Sequence, residues 1–282
     1  MTSAEQRTAV EIGLDPAYDV TRRRGRRIGR ASQYLLGAVI PVAVIVAWQV
    51  GSDTGALAPL IFSSPERIVA KAIDLSNTGV LWSNLAISLF RVLVGFLGAV
   101  VIGTLLGLFS GINRWVERTI DPTMQILRTI PLVAVLPLFL VWFGYSELSK
   151  ILFILVTLVP TFYVDVHTGV RNVDKKLLEV GKVFKLRWYE VIFGIVIPGA
   201  SPFIFTSMRR GATVSLILLI FAETLNAKSG LGYLAAQGIT YLNVDLTFVI
   251  VITYAVLGLL FDTVIRVIQN LATPWRGRKG VR

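Results

Sequence analysis

The sequence predicts an all-α fold: a polytopic membrane protein with six transmembrane helices, a cytoplasmic amphipathic helix and polar tails. Three observations predict it. Of 282 residues, 54% are hydrophobic and 16% are charged, and mean hydropathy is +0.70. A soluble domain carries about 25% charged residues, and hydrocarbon does not tolerate charge as water does. The apolar residues gather in six stretches, each near the roughly 20 residues needed to cross a bilayer. Lys and Arg then fall almost wholly on one side of the alternation those stretches create.

Residues 1–33 are polar, carry the run Arg22, Arg23, Arg24, Arg26, Arg27 and Arg30, and read as a basic cytoplasmic tail. The six apolar stretches follow at 34–50, 85–109, 124–143, 151–170, 203–222 and 246–268. The first is followed by Gly51-Ser52-Asp53-Thr54 and not by a small-x-small cleavage site, so it reads as a membrane span. Between spans one and two, Ser64-Pro65-Glu66 has the form of a helix start, with Ser as N-cap and Pro at the first helical position. A short amphipathic helix from Pro65 to Leu75 is expected outside the membrane. The organisation that results is a tail at 1–33, a first span with this helix at 34–79, a main membrane domain at 80–270 and a second basic tail at 271–282.

Span two carries Gly103, Gly107 and Gly111 four residues apart, on one helical face, with Gly95 and Gly98 before them. Such spacing allows close approach of another helix. Pro131, Pro137 and Pro160 lie in spans three and four, where kinks are expected. With the N-terminus inside, 23 of the 28 Lys and Arg lie on cytoplasmic segments or the adjoining parts of spans five and six, and four on outer loops, Arg91 being inside span two. The net charge of +11 is therefore positive-inside bias, and nucleic acid is not needed to explain it.

No nucleotide-binding loop is present: at Gly181-Lys182 the required Ser or Thr is replaced by Val183. Cys is absent and His167 stands alone, which excludes thiolate and multi-histidine metal sites. No catalytic constellation and no metal site is expected. The ionisable groups in the spans are Arg91, Asp165, His167, Arg209, Arg210 and Asp262, with Glu223 at a span end. Each costs roughly 2.5–3.5 kcal/mol at a helix centre. Helix–helix pairing or partial solvation accounts for most of them; Arg91 either snorkels to the interface or lines a substrate path, and Glu223 joins it as a path candidate.

The long loop from Arg171 to Pro202 reads RNVDKKLLEVGKVFKLRWYEVIFGIVIPGASP. Asp174 can cap a helix in which Leu177, Leu178 and Val180 to Val183 form an amphipathic stretch. By periodicity alone this is either a docking element for a separate motor or a helix lying on lipid headgroups.

At this loop the sequence resembles the permease subunits of ATP-binding-cassette importers with the type I fold. Their EAA loop runs Glu-Ala-Ala, a glycine, then Ile-x-Leu-Pro. Here Glu179-Val180-Gly181 stands at the first position and Ile195-Val196-Ile197-Pro198 at the last, with Lys185 where the family has its glycine. SSPERIV, LAISLFRVLVGF, DPTMQILRTIP, LPLFLVWFG, VRNVDKKLLEV, VIPGASP, FAETLNAKSGLGYL and YAVLGLLFD extend the resemblance over about residues 60–270. It is strongest to the branch importing sulfonates, taurine, nitrate or bicarbonate.

The resemblance implies a non-enzymatic subunit of a bacterial inner membrane, with both termini cytoplasmic. It implies pairing with a second copy in the bilayer, two ATPase subunits below and an extracytoplasmic solute-binding protein above. ATP would be bound by the ATPases, leaving this chain without a cofactor. Asp174, Leu178, Glu179, Gly181, Lys185 and Pro198 would form the coupling contact, and 80–270 would be the type I transmembrane domain. The competing class is a passive channel or ion-coupled carrier, which would show ionisable relays or inverted repeats with broken helices. Uptake without ATP would favour it.

Overall fold

The computed structural model describes residues 30–58 and 61–273, so the arginine run at 22–27 and the second tail beyond Thr273 lie outside the described residues. The chain divides into two units, Met1–Val50 and Gly51–Arg282. Most of helix α1 (Arg30–Asp53) belongs to the first unit. It starts four residues ahead of the predicted span and carries Pro41 internally.

Among the described residues of the second unit, four helices are long and apolar enough to cross a membrane. They are α3 (Val80–Ile112), α6 (Glu147–Arg171), α9 (Ile197–Asn226) together with the helical turns before it, and α11 (Val244–Ala272). Ahead of them α2 (Pro65–Asn77) forms where the Ser-Pro-Glu pattern predicts it. The Ser64 side chain accepts from the Arg67 N–H at 3.4 Å, and Pro65 supplies a fixed φ where no N–H is needed. Ile68 and Leu75 are its buried residues, and the helix packs on α11 and α3. Asp245 holds it down by accepting from Ser63 and pairing with Arg67 at 3.2 Å.

The small residues of α3 do what their spacing predicts. Gly95, Ala99, Gly103, Gly107 and Gly111 form one line, and α6 lies directly on it. A Cβ on Gly103 would fall 2.5 Å from Phe162 Cβ, and one on Gly107 would fall 2.7 Å from the Tyr163 carbonyl oxygen. The two backbones thus touch, as only glycine permits. Phe96 and Phe162 close the seam edge to face at 5.8 Å. α9 packs on the other side of α6, and α11 on α9.

Span three departs from expectation. The predicted helix at 124–143 is two segments, α4 (Arg114–Thr129) and the stretch Val133–Phe143, meeting at 86°. The latter comprises the end of a 3-10 turn (Leu132–Val135) and α5 (Leu136–Phe143). Pro131 causes the break. It excludes the α conformation at the preceding residue, and Ile130 is extended at φ −69°, ψ 128°. α4 buries none of its residues and carries Arg114, Glu117, Arg118 and Asp121, so it is an amphipathic helix and not a continuous apolar span. Pro137, at the start of α5, and Pro160, inside α6, leave their helices unbroken.

Span five is longer than predicted. Its helix runs on from a short α8 (Trp188–Val191) and a π-helical turn (Ile192–Val196), giving 38 helical residues from Trp188 to Leu225.

Candidate coupling segment and a buried ion cluster

α7 (Lys175–Val183) follows α6 after Asn172, Val173 and Asp174. The Asp174 carboxylate accepts from the Lys176 N–H at 2.9 Å, capping the helix as its sequence predicts. One face turns inward. Leu178 packs on the buried cluster of Val166, Val170, Val196 and Ala200, which joins α6 to the start of α9. Gly181 is buried, and a Cβ there would lie 3.1 Å from Ile195 Cδ1. The opposite face turns outward: Leu177 is 50% exposed, Val180 49%, Val183 79% and Phe184 74%. Glu179 is exposed beside them. Pro198 stands where the π-helical turn passes into α9, inside the continuous helical stretch.

Lys185 takes the left-handed conformation at φ 51°. Its N–H donates to the Lys182 carbonyl and the Leu186 N–H to the Gly181 carbonyl, both at 3.0 Å. This is a complete Schellman stop, normally built with glycine at the left-handed position. The backbone keeps the geometry of the glycine pattern although the side chain is lysine. Of the six residues predicted for coupling, Asp174, Glu179 and Lys185 are exposed, Leu178 and Pro198 are partly buried and Gly181 is buried. Asp174 caps the segment, Leu178 and Gly181 anchor it from beneath, and Lys185 ends it.

Arg91 and Glu223, the two path candidates, meet at the other end of α6. Both side chains are fully buried, with Nη1 of Arg91 2.6 Å from Glu223 Oε1. The same Nη1 donates to the Ser229 carbonyl at 2.7 Å. Nε and Nη2 grip Glu147 bidentately at 2.5 and 2.7 Å, and Nη2 also reaches Ser229 Oγ at 3.3 Å. All five donors of the guanidinium are thereby used. Snorkelling is excluded as the reason for its place.

Glu223 is held as completely. Ser88 donates to it at 2.8 Å, Tyr254 at 3.4 Å and the Gly232 N–H at 2.8 Å. Gly232 lies in the first turn of α10 (Leu231–Thr240), so the carboxylate sits at the positive end of that helix. The Leu231 N–H donates to Ser88 and the Gly230 N–H to Asn84. Five helices, α3, α6, α9, α10 and α11, are thus tied at one point. Sequence reading misses Glu147, Ser88, Ser229 and Tyr254. The available signals are faint: Ser88 and Arg91 share a face of α3, and Ser146 caps α6 just ahead of the Glu147–Lys150 pair, itself 3.0 Å apart.

The remaining ionisable groups named in the spans have partners, as helix–helix pairing predicts. Arg209 meets Asp262 at 2.7 Å, Arg210 meets Asp165 at 2.8 Å, and His167 meets Glu117 at 3.2 Å. Among the described residues, no group of three or more His, Cys, Asp or Glu could hold a metal.

Residues 99–275 match the family described as binding-protein-dependent transport system inner membrane component. The chain belongs to that family. It is a multi-pass membrane transport subunit and not an enzyme. This permease is 37% identical over 236 residues to the putative aliphatic sulfonates transport permease protein SsuC of Escherichia coli (strain K12), covering 84% of this chain and 90% of that one. Identity to the protein of the same description in Bacillus subtilis (strain 168) is 32%, over 86% and 88% of the two chains. The taurine transport system permease protein TauC of Escherichia coli (strain K12) is 27% identical, over 91% and 95%. Among solved structures, a chain of a bacterial alginate ABC transporter in complex with an alginate pentasaccharide-bound periplasmic protein superposes with a TM-score of 0.62 at 14% identity, covering 89% of this permease and 97% of that chain. The permease therefore shares the importer fold, with α7 and the Arg91 cluster at opposite ends of α6.

Proposed function

We propose that this permease is the membrane path of an ATP-driven importer for a small anion of the sulfonate type, working as a pair of copies. In this reading α1 and the bent α4–α5 pair each add a crossing to the four long helices, giving six, with both termini and α7 on the ATPase side. The basic residues support that orientation, since all but a few Lys and Arg fall on the α7 side of the alternation. The solute class rests on the relatives described as sulfonate and taurine permeases.

The observation that carries the reading is the outward face of α7. Leu177, Val180, Val183 and Phe184 are exposed around Glu179, while Leu178 and Gly181 fix the helix from beneath. An apolar face presented on a rigidly capped helix is built for a protein groove. An ATPase there can drive transport only if ATP makes it prefer one permease conformation, so the contact must be firm in at least one state. ATP is bound by that partner.

The test uses the assembled complex in proteoliposomes with its binding protein. Val180→Asp combined with Val183→Asp, both on the exposed face, is expected to lower ethanesulfonate uptake more than tenfold and to release the ATPase on purification. Normal uptake with the ATPase retained would sink the coupling assignment. Uptake without ATP would instead favour a passive route.

A further inference from the structure

α6 and α9 share an outward strip unlike the lipid-compatible face of α3. Along α3 from Leu93 to Ile112 the exposed side chains are Leu93, Val94, Leu97, Val101, Ile102, Leu105, Phe109 and Ile112, all apolar. On the α6–α9 strip, within two apolar spans, stand Asp165, Thr168, Thr206, Arg210 and Thr213, with Phe203, Val214 and Ile217 of α9 exposed among them. The threonines 206 and 213 satisfy themselves on the carbonyls of Pro202 and Arg209. The ions do not. The Arg210 side chain is 61% exposed and gives one of its five donors to Asp165 at 2.8 Å, while Asp165 itself is 18% exposed.

An exposed ion pair at this place is costly against hydrocarbon. Arg210 reaches sideways to Asp165 on the neighbouring helix, and a side chain as short as Asp165 cannot snorkel. Arg209, the adjacent residue, is committed to Asp262, which Arg266 also holds at 2.7 Å. Among the described residues Arg210 is thus held by a single bond, which leaves four N–H groups of a largely exposed guanidinium without a protein partner.

We propose that the α6–α9 strip faces the water-filled solute path and that Arg210 is an anion-contacting residue within it, taking a sulfonate-sized anion, with Asp165 positioning the guanidinium. This deepens the importer reading and rests on it. A guanidinium suits the ligand, because its planar donors match two oxygens of a sulfonate or carboxylate at once. Asp165 leaves those donors free and offsets part of the charge, so that the anion binds weakly enough to leave.

The absence of Cys allows a direct test in the assembled complex in membrane vesicles. Thr213→Cys places one thiol a turn from Arg210. It is treated with the anionic reagent 2-sulfonatoethyl methanethiosulfonate and with its cationic trimethylammonium counterpart. Thr213→Cys is expected to react with both, and Leu97→Cys, on the apolar face of α3, with neither. The anionic-to-cationic rate ratio is expected to fall about tenfold with Arg210→Gln, as removing one nearby charge implies, to be largely kept with Arg210→Lys and to rise with Asp165→Asn.

A thiol at position 213 that is inert with and without ATP would show the strip covered by lipid or by the second copy, and would overturn the proposal. So would a ratio indifferent to Arg210→Gln. Should that variant fail to assemble, the Asp165→Asn ratio decides, and no rise overturns the proposal. Because these rates need no sulfonate uptake, a wrong solute class in the parent reading would show separately, as wild-type vesicles that react as expected but import no ethanesulfonate.

Discussion

The two ends of α6 are finished to different degrees. At Glu147 every donor of Arg91 is used, Glu223 is surrounded by hydroxyls and backbone N–H groups, and five helices meet with their charges satisfied. Beyond Arg171, α7 holds its inner face firmly and leaves four large apolar side chains outward. The first end is complete within one chain, so its residues answer to stability. The second, in the proposed reading, is completed by the ATPase, so its residues answer to transport. A charge buried in a span is not by that fact a transport residue. What separates Arg91 from Arg210 is whether donors are left over.

Variants sharpen or break this contrast, and their effects on stability fall in a definite order. Arg91→Met leaves Glu223 buried without its cation, and a loss of about 3–5 kcal/mol is expected. Thermal unfolding of the purified chain, followed as loss of the monodisperse fraction, would show it as little or no folded protein. Gly103→Val forces apart the backbones of α3 and α6 and should cost about 1–3 kcal/mol, seen as a lower midpoint in the same assay. Glu147→Gln removes a half-exposed partner and should cost about 1 kcal/mol, water screening much of the pair. An effect as large as that of Arg91→Met would mean that Glu147 matters more than its exposure allows.

At the other end the sign reverses. Lys185→Gly relieves a left-handed lysine, and a gain of about 0.5–1 kcal/mol is expected after the extra backbone entropy of glycine. Uptake should be unchanged. Val183→Asp should move stability by less than about 0.5 kcal/mol, as a surface change does, yet lower uptake severalfold. If it unfolds the chain, α7 is part of the core and the contrast fails.

Local chemistry was legible in the sequence. Ser64 and Asp174 announced their helices because a cap is decided within four residues, and the glycines at 103, 107 and 111 announced a close contact because spacing alone puts them on one face. The partner helix was not legible, since any apolar span can lie on a glycine face. Arg91 and Glu223 each stand out in the sequence, yet they are 132 residues apart, and a pair so distant leaves no local pattern. The 86° bend was half visible: Pro131 promised a kink, but a full break also needed Ile130 driven to the extended region and an α4 too charged to continue as an apolar span. Lys185 conceals the stop it makes, because the hydrogen bonds that define it belong to the backbone.

The line of small residues on α3 has a mechanical consequence. Long side chains between two helices can change rotamer and absorb an ångström of sliding, but main chain resting on main chain has no such slack. α3 and α6 therefore behave as one stiff rod whose far tip is fastened at Arg91 and whose near tip carries α7 after a three-residue joint. In the proposed coupling, force applied at the joint would be delivered across the bilayer with little lost on the way.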